Sequence, residues 1–217
     1  MAEQIVLFGG SFDPVHVGHL IVARALAEAC GFERITFVPA AKRPHKPAAC
    51  AAAEHRLAML RLAVTGEKVF DICELELRRA GPSYTCDTLA ALRGQHGGDP
   101  ALHWVIGADM LEDLPSWQRV EQVLAMAKIV VASRPPWDQR LEEIFARLRG
   151  VFPDRQIALL RQSVVQTPLI EISSSEIRAR VAAGRSIRHL VPEAVMDYIA
   201  EHRLYLAGEA EPGGAVR

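Results

Sequence analysis

Short β-branched apolar runs alternate with longer stretches whose apolar residues recur at helical spacing, and this rhythm covers most of the chain. Gln4-Ile5-Val6-Leu7-Phe8 predicts a buried strand stopped by Gly9-Gly10. Residues 19–30, with Leu20, Ala23, Ala27 and Cys30 in register, predict a helix ended by Gly31. Further strands are predicted over 34–39, 69–77, 103–106, 128–132 and 156–160. Further helices are predicted over 51–64, 85–93, 120–127, 141–148, 174–183 and 192–201. Gly184 supplies a stop, and Pro192 suits a first helical turn. Strands alternating with helices imply right-handed crossovers. The expectation is therefore an α/β, Rossmann-like, doubly wound parallel sheet with helices on both faces and a helical C-terminal segment. Such sheets bind ligands outside the carboxyl ends of their strands, which directs attention to the loops after Phe8, Val38, Ile106 and Ala132.

Charge narrows the range of partners. Lys and Arg number 25 and Asp and Glu 26, a formal net charge of -1 over 217 residues. That balance excludes the footprint of a protein that coats nucleic acid or an anionic membrane, while leaving room for one basic pocket. No apolar run approaches the about 18 to 20 residues of a bilayer span, and Met1-Ala2-Glu3-Gln4 lacks a basic segment leading into an apolar core. A soluble cytoplasmic protein is expected. Cys30, Cys50, Cys73 and Cys86 form no C-x-x-C pair and read as small apolar residues.

The first loop holds the densest candidate chemistry: Gly9-Gly10-Ser11-Phe12-Asp13-Pro14-Val15-His16-Val17-Gly18-His19. Two glycines allow a bound group to approach the backbone, and His16 and His19 can project to one side of a positive helix start, a place that attracts phosphate. Taken singly, Gly-Gly after a strand is a turn and a histidine pair is structural; the combination carries the argument. A zinc site would need the H-E-x-x-H pattern or further ligands, and neither is near. The P-loop pattern G-x-x-x-x-G-K-[ST] and the dinucleotide pattern G-x-G-x-x-G are also absent from this loop.

A second helix start lies at Ile172-Ser173-Ser174-Ser175-Glu176-Ile177-Arg178. Ser173 and Glu176 fit a capping box, which explains those two residues through helix stability. Ser174, Ser175 and Arg178 add hydroxyls and a guanidinium, so cap and phosphate clamp are both open for this segment. Two anion sites of this kind suit a triphosphate held between them. The chemistry permitted is nucleotidyl transfer: an acceptor phosphate, already ionised, attacks the α-phosphorus and pyrophosphate leaves. Positioning and charge stabilisation then suffice without a dedicated carboxylate base.

These two motifs resemble those of the nucleotidyltransferase superfamily with the (T/H)-x-G-H signature, and within it the bacterial nicotinate-nucleotide adenylyltransferases. The likeness runs from the first strand to about Leu206, with intervening segments at 39–46, 82–89, 106–109, 115–117 and 133–135. The resemblance implies one nucleotidyltransferase domain over 1–207 and a flexible tail over 208–217. It implies catalytic roles for His16, His19 and Arg178, and ATP contacts from Gly9, Gly10, Ser11, Phe12, Gly18, Gly107, Asp109 and Ser174. Tyr84, Thr85, Trp117 and Arg134 would surround nicotinate mononucleotide, with Lys42 and His45 on a mobile loop near the phosphates. Magnesium would accompany ATP, held by phosphates and water rather than by a protein metal site. Ser11 stands where threonine is also common, and the alanine-rich 48–53 stretch departs from the family pattern. An aromatic plane and helix-start N–H donors suit a pyridinium carrying a carboxylate, so the acid is expected to be preferred over the amide. Pantetheine phosphate or nicotinamide mononucleotide as acceptor, and a sensor that binds without turnover, are the competing readings. Homo-oligomerisation is left open.

Overall fold

The computed structural model describes residues 3–207 apart from 43, 45–48 and 97–99. The strands are β1 (Gln4–Gly10), β2 (Ile35–Pro39), β3 (Phe70–Ile72), β4 (Ala101–Gly107), β5 (Ala127–Ser133) and β6 (Val164–Gln166). They form one sheet in the order β3-β2-β1-β4-β5-β6, every neighbouring pair parallel. From β1 the chain winds outward through β2 and β3, then crosses back to β4 on the other side of β1 and winds outward again. The reversal opens a crevice above the carboxyl ends of β1 and β4, where doubly wound sheets take their ligands.

The helices are α1 (Val17–Cys30), α2 (Ala53–Val64), α3 (Leu75–Arg78), α4 (Thr85–Gln95), α5 (Val120–Met126), α6 (Trp137–Leu148), α7 (Asp154–Gln162), α8 (Ser174–Ala182) and α9 (Glu193–Glu201). Strand parity divides them between two cores, because successive strand residues face opposite sides of a sheet. Leu102, Trp104 and Ile106 of β4 and Ile129 and Val131 of β5 face a core closed by Leu89 and Leu92 of α4, Val123 of α5, Phe145 of α6 and Leu160 of α7. Val6, Ile35, Phe37, Val105 and Val130 face the other, closed by Leu26 of α1, Leu60 of α2, Ile177 of α8 and Val195 of α9. Strands buried on both faces read as nearly continuous apolar runs, which is why β1, β2, β4 and β5 were legible in the sequence. Helix α1 ends at Gly31, whose φ of 67° is the left-handed cap that glycine adopts without penalty.

Three expectations are corrected. Residues 156–160, expected as a strand, belong to α7: the apolar run is too short for its period to separate strand from helix, and the buried pair Ile157 and Leu160 has helical spacing. The strand expected over 69–77 stops at Ile72, and Leu75–Arg78 makes a single helical turn that buries Glu76. Edge strand β6, only three residues long, was not anticipated. No helix among the described residues is long and apolar enough to cross a membrane. The tail over 208–217 lies outside the described residues.

Candidate active site

The first loop leaves β1 and turns into α1, with His16 as the N-terminal cap residue. The imidazoles of His16 and His19 stack with centroids 3.7 Å apart and planes at 26°. Gly18 makes this possible, since a β-carbon there would lie 3.0 Å from His16 Nδ1 and 3.1 Å from Ile170 Cγ2. The backbone N–H of His16 donates to His19 Nδ1 at 3.3 Å, which assigns the proton of neutral His19 to Nε2. His16 is buried, and its Nδ1 has no hydrogen-bond partner among the described residues. Burial first, then the nearby charge of Arg134, pushes the His16 pKa down to about 4. Burial, His16 and Arg134, in that order, hold His19 well below the ordinary imidazole range. The pair is therefore neutral at neutral pH.

The second motif docks on the first. Ser173 caps α8 by accepting the Glu176 N–H at 3.1 Å, so the capping expectation holds for that bond. Ser174 and Arg178 turn elsewhere: the Ser174 hydroxyl donates to Pro14 O at 2.9 Å, and Arg178 donates to Asp13 O at 2.7 Å and to Ser175 Oγ at 3.2 Å. The capping explanation thus covers Ser173 and Glu176 and leaves Ser174 and Arg178 as part of the loop's frame. Arg134, at the end of β5, donates to Ile170 O and sits at the histidine end of the crevice. Sequence reasoning had grouped it with Tyr84, Thr85 and Trp117.

Those three residues line a cavity of about 540 Å³ between the ends of β1 and β4. Gly9, Gly10, Trp104 and Met110 line it as well, with Tyr84 and Thr85 at the start of α4 and Trp117 on the segment before α5. Gly9 is required by close approach, because a β-carbon there would fall 2.6 Å from Trp104 Cζ2. At Gly107 the demand is weaker: a β-carbon would meet Asp109 Oδ1 at 2.2 Å, the free end of an exposed side chain that can swing aside at the end of β4. The main chain of Lys42 joins this wall, Ser83 N–H donating to Lys42 O at 2.8 Å. His45 lies outside the described residues.

A neutral histidine pair at a helix start, framed by arginines and next to an aromatic cavity at the switch point, has the chemistry to take a phosphorylated nucleotide. Known proteins agree with that geometry. Residues 7–180 match the cytidylyltransferase-like family model. A Thermomicrobium roseum protein named "Probable nicotinate-nucleotide adenylyltransferase" is 44% identical over 211 residues, 96% of this chain and 94% of that protein. One of the same name from Pseudomonas aeruginosa is 40% identical, covering 95% of this chain and 99% of its own length. The chain belongs to the nicotinate-nucleotide adenylyltransferase family. The structure of the Plasmodium falciparum nicotinic acid mononucleotide adenylyltransferase complexed with NaAD shares the fold, with a TM-score of 0.72 at 20% identity over 94% of this chain and 97% of that one.

Family membership makes the residues that sequence reasoning missed more informative. Asp13 is buried in the signature loop: its carboxylate accepts N–H groups of Cys50 at 2.7 Å and Ala51 at 3.1 Å and the Tyr205 hydroxyl at 2.8 Å. Burial and that carboxylate push the Tyr205 phenol far up, so it stays a donor. Arg56, 1% exposed, donates to the carbonyls of Ala51, Ser11 and Ala41. These two residues hold the loop's shape from beneath. Neither has a local sequence signal, since Asp13 reads as a turn former and Arg56 as one charge on an amphipathic helix. Trp104 could have been found, because strand parity on β4 places it with Leu102 and Ile106.

Proposed function

We propose that this member of the family joins ATP to nicotinate mononucleotide, giving nicotinate adenine dinucleotide and pyrophosphate. The observation that carries the reading is the placement of two unlike half-sites at one topological switch point: the histidine pair at the start of α1, and the aromatic cavity lined by Gly9 and Gly10, the end of β1 from which the histidine loop departs.

In this reading ATP lies along Gly9, Gly10, Ser11, Phe12 and Gly18, with Gly107 and Asp109 on the β4 side and Ser174 and Arg178 on the α8 side. The pyridine ring enters the cavity against Trp117, its carboxylate toward the N–H groups at the start of α4 that follow Tyr84. An oxygen of the mononucleotide phosphate attacks the α-phosphorus, and the bond to the bridging oxygen of pyrophosphate breaks. The nucleophile is an anion at neutral pH, so no general base is called on. His19 Nε2–H donates to the phosphate oxygens where charge develops, and the Nδ1 contact keeps that donor aimed. Arg134 and Arg178 supply cationic charge on either side; Arg134 serves phosphate rather than the acceptor ring, because it stands with the histidines. Lys42 and His45 belong to the segment that would cover the phosphates.

The described residues include no group of three or more His, Cys, Asp or Glu side chains arranged to hold a metal ion. They do not form a metal cage. Magnesium enters as the companion of the triphosphate, bound by phosphate oxygens and water. Residues 1–207 act as one domain, since α8 from the far end of the chain completes the loop after β1. Both proposed substrates are phosphorylated nucleotides, which membranes confine, and this supports a cytoplasmic activity.

The deciding experiment mixes purified protein, ATP and magnesium with nicotinate mononucleotide, nicotinamide mononucleotide or pantetheine phosphate and follows pyrophosphate. Release is expected with nicotinate mononucleotide at the highest kcat/KM. Binding of both nucleotides without release, or a preference for pantetheine phosphate, would overturn the reading.

A further inference from the structure

The wall that carries Tyr84 and Thr85 rests on a carboxylate that the reaction leaves unused. Glu76 comes from α3, is 4% exposed and lines the cavity. Its Oε1 accepts the hydroxyl of Thr88 at 2.7 Å, and the Ser83 hydroxyl is a second partner. Thr88 is wholly buried, and the Arg79 guanidinium reaches Thr88 Oγ1 at 3.2 Å. Ser83 and Thr88 bracket Tyr84 and Thr85, one residue before and three residues after. Ser83 also accepts the Ala41 N–H on Oγ at 3.0 Å and donates its own N–H to Lys42 O at 2.8 Å. One side chain thus ties the start of α4 to the segment after β2.

A buried carboxylate beside a cavity for an anionic ligand is unfavourable to that ligand on Coulomb grounds, and burial alone disfavours its charge. What it gives in return is two acceptor oxygens at fixed separation. An apolar residue at 76 would leave both hydroxyls without that acceptor, one of them sealed from water.

We propose that Glu76 is a positioning residue for the acceptor: by holding Ser83 and Thr88, it sets the direction of the α4 start that meets the ring carboxylate, and it transmits that setting to Ala41 and Lys42. The proposal rests on the assignment of nicotinate mononucleotide to this cavity.

Steady-state kinetics test it. Glu76→Ala is expected to raise KM for nicotinate mononucleotide on the order of tenfold, while kcat and KM for ATP stay within about twofold. Glu76→Gln keeps an acceptor oxygen and should restore most of that KM. Thr88→Val should raise the same KM by a smaller factor and add little in the Glu76→Ala background. An unchanged KM in Glu76→Ala, a Gln variant as impaired as the Ala variant, or a loss confined to kcat overturns the proposal. Should Glu76→Ala fail to fold, Ser83→Ala and Thr88→Val carry the test, and no rise in KM in either overturns it. Trp117→Ala measured alongside separates the two ideas. If it raises KM while the Glu76 and Thr88 variants do not, only the positioning role fails; if none moves KM, the acceptor is not in this cavity.

Discussion

The two halves of the crevice bury titratable groups in opposite senses. At the histidine end, burial and Arg134 strip protons from imidazoles; in the aromatic cavity, burial pushes the Glu76 carboxyl up, toward keeping its proton. Two imidazolium rings could not stack at 3.7 Å beside a guanidinium without heavy repulsion. On the proposed function, the cationic charge for a triphosphate would therefore reside in Arg134 and Arg178, and the histidines would act as oriented neutral donors. In the cavity the buried group serves shape and hydrogen bonding, its oxygens accepting the hydroxyls of Thr88 and Ser83.

The sharpest way to break this division is His19→Ala. It removes a donor aimed at developing charge, and kcat should fall on the order of a hundredfold or more, with a small change in KM for either substrate. Near-normal kcat would show that the arginines and backbone suffice. His19→Asn, which offers a neutral N–H donor, should recover part of the loss.

Stability against pH comes next. The unfolded imidazole takes its proton near pH 6.5, and folded His16 does so only near about 4. The unfolded chain therefore binds more protons in that window, and stability falls as pH drops through it. His16 alone should remove about 3 kcal/mol by the bottom of the window, with His19 acting in the same direction. Glu76 has the opposite sign, since a folded pKa above its ordinary value gives stability that declines as pH rises through that raised pKa. Urea unfolding across the acid range should show a shallower slope for His16→Gln than for the parent protein, and equal slopes would refute the neutral-pair description.

The two halves also differed in how much of them could be read in advance. The histidine end was legible because its parts are consecutive: a strand, Gly9-Gly10 and a helix start bring His16 and His19 together through local geometry alone. The α8 motif was legible as a motif, but its docking on Asp13 and Pro14 is long-range, as is the support from Arg56 and Tyr205. The cavity was half-legible. Tyr84, Thr85 and Trp117 were singled out, whereas Glu76 sat in a stretch expected to be strand, where alternation would have turned its neighbours rather than itself inward. Arg134 was legible as a residue at a strand end, but which half of the crevice that end serves depends on the order of β4 and β5 in the sheet.

Trp117→Ala probes the cavity directly. Losing an aromatic plane against the pyridine ring should raise KM for nicotinate mononucleotide about tenfold while sparing kcat. An unchanged KM would remove Trp117 from the acceptor site and with it the contrast between the halves.

The smallest effect concerns how the cavity's two walls are held in register. Arg119, two residues after Trp117, bonds to Asp87 and approaches Cys86 Sγ at 3.2 Å, both in the first turn of α4. Its own backbone has a φ of 52°, a left-handed conformation that costs a non-glycine residue about 1 kcal/mol. Because the two side chains are 46% and 37% exposed, water and salt weaken the pair, and its contribution should be small. Asp87→Asn and Arg119→Gly should each raise KM for the mononucleotide about twofold to threefold, and the double variant should add little to either. Arg119→Gly relieves the left-handed backbone while losing the pair; Arg119→Ala loses the pair and keeps the strain, so of the two it should have the lower Tm. Raising the ionic strength should shift KM for the parent toward the variants' value. Fully additive single effects, or variants whose KM matches the parent at low salt, would mean that packing of Trp117 against the core sets the wall, leaving the ion pair as a surface contact.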